Sequence, residues 1–201
     1  MPKSNFAKRL ITLLAGLFIY GVGIAMMVKA EIGLAPWDVL AQGISRQTGL
    51  SFGQSTISVS LMVLLLWIPL KVKPGLGSVL NALLLGIFAD LVLPFIPHFD
   101  FYWGNLLVFV TGMVVLSFAT GLYISTHMGK GPRDGLNTGL AIKFKLPFWQ
   151  ARTMVEVLVV LIGFALGGQV REGTLLFALG IGYLNQIGLR IFGLADKGGR
   201  L

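Results

Sequence analysis

Two aspartates stand at matching places in otherwise apolar sequence. Asp38 lies in IGLAPWDVLAQG, residues 32–43, and Asp134 in MGKGPRDGLNTG, residues 128–139, each two positions after a proline. A carboxylate so placed can hold a cation or a proton. The same segments carry the opposite chemistry as well, because proline and an acidic residue both favour the first turn of a helix, whose free backbone N–H groups bind anions. Arg133 adds a cation beside Asp134, where the other segment has Trp37. Helices starting at Pro36 and Pro132 would place Gln42 and Ser45 on the stripe of Asp38, and Thr138 on that of Asp134. Asp38, Gln42, Arg133, Asp134 and Thr138 are therefore the candidate substrate-binding residues.

Other polar residues in apolar surroundings are few, and each needs a partner or a cavity, since a charge at the centre of a membrane span costs about 2.5–3.5 kcal/mol. Arg152 and Glu156 are four apart and can pair on one helix face; alternatively Glu156 carries a proton or coupling cation. Asp90 reads as a helix-end group near water, its counterpart is Gln186 beside Asn185, and Asn81 can bond a neighbouring helix. His98 and His127 share no metal-ligand spacing, no Ser-His arrangement stands out, and there are no cysteines. No metal site, cofactor or enzymatic activity is expected.

The two motifs belong to a repeat with a constant offset of 96 residues. Gly33 matches Gly129, Pro36 matches Pro132, Gly43 matches Gly139, Gln54 matches Gln150, Gly77 matches Gly173, and Gly86 matches Gly182. Aligned Gly, Pro, Asp and Gln do not arise from shared apolar composition. Repeat boundaries of about 8–97 and about 104–193 follow. Gly33, Gly129 and Gly131 are expected to make the tight turns before the short helices, and Gly49 to end the first of them.

The elements that carry these residues must cross a membrane. Hydrophobic residues make up 55% of the chain and charged ones 12%, against roughly 25% charged in a soluble domain. Runs apolar on every side exclude the alternation of a membrane β-barrel. Candidate spans are residues 10–28, 77–94, 102–124 and 174–191, with shorter ones at 55–70 and 153–168. The first follows basic residues as a secretory signal would, but it is long and lacks a small-x-small site, so a retained helix is expected. The predicted fold is all-α in one membrane domain: six transmembrane helices as two three-helix repeats, each with a short Pro-Asp helix. The segment 37–47 would be about 16 Å long as a helix, too short to cross.

Three crossings per half force the halves into opposite orientations, the inverted-repeat plan of many secondary transporters. The net charge of +8 agrees. With the N-terminus in the cytoplasm, 13 basic residues fall inside and only Lys29, Arg46 and Arg171 outside, which is the positive-inside pattern and puts both termini in the cytoplasm. The charge therefore reports orientation in a lipid bilayer; nucleic-acid binding is not expected. Two placements of the short helices stay open: connectors lying in the headgroup region, or re-entrant half-helices aiming their N-termini at a midplane site, which is allowed only where protein or a wet cavity surrounds the backbone.

The strings GLAPWDVLAQGISRQTGLSFGQ, KPGLGSVLNALLLG and MGKGPRDGLNTGL resemble the YczE/YitT group of bacterial integral membrane proteins, and the likeness covers nearly the whole chain. Ala35 stands where such motifs usually have glycine, and no soluble C-terminal domain of the YitT type is expected, so the likeness is nearest the YczE branch. What the resemblance implies is architecture and a bacterial inner-membrane location rather than any activity. The functional expectation is a small transporter or channel-like exporter of a small solute, an anion or carboxylate if helix N-termini bind it and a cation or proton if the aspartates do. A homodimer is a further expectation. The alternative is a non-transporting membrane partner or regulatory subunit of another complex.

Overall fold

The computed structural model describes residues 6–194, and among these the chain is helical with no strand. In order they form α1 (Phe6–Ala30), α2 (Pro36–Thr48), α3 (Phe52–Leu66), α4 (Leu76–Val92) with a 3-10 turn (Leu93–Phe95), α5 (Tyr102–Ile124), α6 (Pro132–Phe144), α7 (Phe148–Ala165) and α8 (Glu172–Ile191). Each of α5 to α8 starts 96 residues after its counterpart among α1 to α4. The backbone repeats even where it is unusual. Positive φ occurs at Glu31 (55°) and His127 (51°), Gly33 (131°) and Gly129 (138°), Gly49 (74°) and Lys145 (54°), and Lys71 (55°) and Gly167 (92°), each pair at that offset.

Gly33 and Gly129 make the turns expected of them, and space as well as φ demands glycine there. A Cβ on Gly33 would lie 2.6 Å from the Thr174 amide nitrogen, and one on Gly129 would lie 2.7 Å from Ser78 Oγ. Gly131 corrects the expectation. Its backbone (φ −60°, ψ 153°) is extended, and Ala35 has the same conformation (φ −63°, ψ 152°), so a side chain is tolerated at this position.

Among the described residues, five helices are long and apolar enough to cross a membrane: α1, α4 with its 3-10 extension, α5, α7 and α8. α3 has 15 residues and completes a sixth span only as part of a broken pair with α2, to which it is bent by 116°. A hydrogen-bonded turn carries α3 on to Lys71, whose amide donates to the Ile68 carbonyl at 3.1 Å. Large apolar side chains such as Ile11, Leu65, Trp103 and Leu179 point outward and are exposed, a surface that suits lipid.

Small residues set the packing, as in membrane bundles generally. α1 and α5 run antiparallel at the centre, Gly16 against Tyr123 and Gly23 against Gly112. α4 flanks α1, and α8 flanks α5. Their starts are tied by matching bonds: Gly77 N–H to the Met128 carbonyl and Gly173 N–H to the Ile32 carbonyl, both 2.8 Å. The main core lies chiefly among these four helices, joined by Ile32, Ala35, Ala41 and Phe52. A second cluster of Trp37, Val59, Val63, Trp67, Leu136 and Val159 joins the short helices to α3 and α7.

Candidate functional site

α2 and α6 are positioned by where their ends lie. Pro36 and Pro132 are buried while Gln47, Thr48, Lys143 and Phe144 are exposed, so both helices start inside the bundle and run outward. Neither start has a side-chain cap, and the first-turn N–H groups of an uncapped helix carry a partial positive charge. Gly49, in the left-handed conformation, ends α2, its N–H bonding the Ser45 carbonyl at 2.9 Å. Lys145 ends α6 in the same conformation without being glycine.

The two starts meet. Arg133 Nη2 donates to Asp38 Oδ1 at 3.1 Å, and the Arg133 guanidinium stands 5.5 Å from the centre of the Trp37 ring. Trp37 and Arg133 occupy equivalent positions in the two copies of the motif, so the motif faces its own duplicate. Asp38 is 1% exposed, and a carboxylate so deep requires the pairing. Trp67 braces the second start from α3, its indole N–H donating to the Pro132 carbonyl at 3.0 Å.

Beside this junction lies a cavity of about 90 Å³, the scale of a small ion or a solute of a few heavy atoms. Arg133, Asp134, Arg152 and Glu156 line it, together with Tyr20, Ser60, Asn81, Tyr123, Asn137 and Asn185. Arg152 and Glu156 form the ion pair anticipated from their spacing, Nε to Oε1 2.7 Å.

The sequence-based candidates are thus only partly brought together. Arg133 and Asp134 face the cavity, and Asp38 stands behind Arg133 as its counter-ion. Gln42 and Thr138 do not line it. α2 packs on α7 through Gly43 and Gly163, which turns the stripe following Asp38 towards the α7–α8 loop, where Gln42 Oε1 accepts from the Gln169 N–H at 2.7 Å. The Thr138 hydroxyl donates to the Asp134 carbonyl of its own helix at 2.8 Å. Asp90 caps a neighbouring helix: its carboxylate accepts from the Gly53 N–H at 2.7 Å and from the Ser51 hydroxyl, at the start of α3. Asn137, Tyr20 and Tyr123 were not singled out from sequence. A signal did exist for Asn137 and Tyr123: the first repeat has Ala41 and Met27 there, so a polar residue replaces a smaller or apolar one at the same offset.

A protein from Haemophilus influenzae is 38% identical over 184 residues, covering 92% of this chain and 84% of its own length. The membrane protein YczE of Bacillus subtilis is 28% identical over 189 residues, covering 93% of this chain and 88% of its own. YyaS of the same bacterium is 29% identical over 166 residues, covering 80% and 82%. No solved structure matches the chain. Residues 7–189 match the family described as "Family of unknown function (DUF6198)". Taken with the apolar helices and the YczE relative, that match identifies the chain as a membrane protein belonging to the DUF6198 family.

Proposed function

We propose that the protein is a small-solute transporter built from two inverted halves, with α2 and α6 as re-entrant half-helices whose starts bound a central binding cavity. The observation that carries this reading is the Asp38–Arg133 ion pair, which joins the two helix starts beside a polar cavity inside an apolar bundle. The antiparallel run of α1 and α5 supports the inversion, and the distribution of basic residues supports cytoplasmic termini in a bacterial inner membrane. Half-helices of this kind bind solutes in transporters because backbone polar groups freed within the membrane can face a ligand there. Arg133, Asp134, Asn137 and Glu156 are the residues assigned to the solute and its coupling ion.

The test is flux across liposomes holding the purified protein, with small polar solutes screened by electrical recording on a supported membrane. Saturable transport that Asp134→Asn abolishes, while Asp90→Asn leaves it in place, is expected. Absence of transport for every solute in a folded, correctly inserted preparation would overturn the reading.

One observation favours the partner-protein alternative. α7 and α8 do not pack along each other, and a Cβ on Gly182 of α8 would meet nothing within 4 Å, so a second chain has room to dock on this face. Under that reading Gly182→Leu disrupts co-purification of a partner while flux is absent throughout.

A further inference from the structure

Buried polar groups either satisfy one another or leave the balance to a ligand. Two guanidinium groups line the cavity and each already has its carboxylate, Arg133 with Asp38 and Arg152 with Glu156. Asp134 is the third carboxylate of the group and has no such partner. Among the described residues its side chain makes no ion pair and accepts no hydrogen bond, although Arg133, Arg152 and Lys130 lie within electrostatic reach. One turn further along α6, Asn137 is 2% exposed, lines the same cavity, and has an amide oxygen with no hydrogen-bond partner. Asn185 of α8 adds a second amide oxygen in the same state on the cavity wall. All three are acceptor oxygens, and with Arg133 and Arg152 each neutralised by its own carboxylate, the Asp134 charge is the one left without an ion-pair partner on this wall.

We propose that the Asp134 carboxylate and the Asn137 amide oxygen form a binding site for a monovalent cation, an alkali-metal ion or a small protonated amine. The proposal rests on the transport reading only for its role, as substrate or coupling ion; the site itself stands on the unpartnered oxygens. A cation is favoured over an anion because each guanidinium already faces a carboxylate partner, whereas the Asp134 carboxylate has no cationic one. A monovalent ion is favoured over a divalent one because a single unpaired carboxylate, Asp134, matches one positive charge, whereas Glu156 on the same wall is already paired with Arg152. The bland account of Asp134 is an acidic residue favoured in a helix's first turn. That account leaves the buried Asn137 oxygen without a reason.

The experiment titrates purified protein in detergent with sodium, potassium or methylammonium chloride, replacing choline chloride at constant ionic strength. Tryptophan fluorescence is the readout, since Trp37 and Trp67 stand at the two helix starts. A saturable response to at least one of the three cations is expected, lost in Asp134→Asn and weakened at least about tenfold in Asn137→Ala, with Asp90→Asn behaving as the parent. No saturable response, or an unchanged response in a folded Asp134→Asn or Asn137→Ala protein, overturns the site. Response without flux removes the transport reading and keeps the site; flux without response does the reverse.

Discussion

The first half of the chain packs where the second half opens. α3 and α4 close on each other at Gly53 and Gly86, with Asp90 of α4 holding the start of α3. Their counterparts α7 and α8 stand apart: Trp149 replaces Gly53, Pro147 replaces Ser51, Gln186 replaces Asp90, and Gly182 faces open space. The short helices differ in the converse way. α2 lies directly on α7, where a Cβ on Gly163 would come within 2.6 Å of the Leu40 amide nitrogen, whereas α6 is held off α3 by the Trp67 indole, the residue at the position of Gly163. The charged wall of the cavity follows the same division, although Tyr20, Ser60 and Asn81 of the first half also line it. Asn137, Arg152, Glu156 and Asn185 belong to the second half, and the first has Ala41, Thr56, Ser60 and Ala89 in their places. The two copies therefore share their helix starts and turns, and the second carries the charged residues of the cavity wall, Arg133, Asp134, Arg152 and Glu156. The first copy supplies the closed seam and the counter-ion Asp38, and the second supplies most of the residues we propose as ligands.

The comparison can be broken most forcefully at the junction of the halves. Arg133→Gln leaves Asp38 buried and unpaired, which should cost about 3–5 kcal/mol and appear as a large fall in thermal stability in detergent; adding Asp38→Asn should restore most of it. The next effect is at the seams. Gly86→Leu must force α4 off the α3 backbone and should cost about 1–3 kcal/mol or more, while Gly182→Leu at the equivalent place should stay within roughly 0.5 kcal/mol. Equal costs at the two glycines would erase the distinction between closed and open seams. Asp90→Ala removes the bonds to Ser51 and Gly53 and should cost about 1 kcal/mol, in the range of a lost helix cap, while Gln186→Ala should change stability little. Smallest is Trp67→Phe, which keeps the spacer between α3 and α6 but loses the bond to Pro132, an expected loss of about 0.6 kcal/mol for a hydrogen bond within a membrane bundle.

Much of this scaffold was legible because its signals are local. Proline and aspartate mark the starts of α2 and α6, glycine with positive φ marks the turns at 33 and 129, and the constant offset announces equivalent helices. Lys145 shows where local signals end: it adopts the left-handed conformation of Gly49 without being glycine, and nothing in its identity says so. The site was less legible because its contacts cross from one half to the other. Trp37 and Arg133 are recognisable as equivalents in sequence, but that they face each other depends on the halves enclosing a common cavity. Gln42 was drawn into the site by its spacing from Asp38, and packing at Gly163 turned it elsewhere.

The meeting of the two helix starts is tested most directly by replacing both members of the cross-half ion pair together. The chain has no native cysteine, so Asp38→Cys with Arg133→Cys provides two unique thiols and leaves neither charge unpaired. Treatment of the folded protein with a short bifunctional thiol reagent, followed by intact mass measurement, should give one bridging reagent per chain and no dimer. Two independent additions per chain, or bridges only between chains, would mean that the starts of α2 and α6 do not meet, and the shared cavity would fall with them.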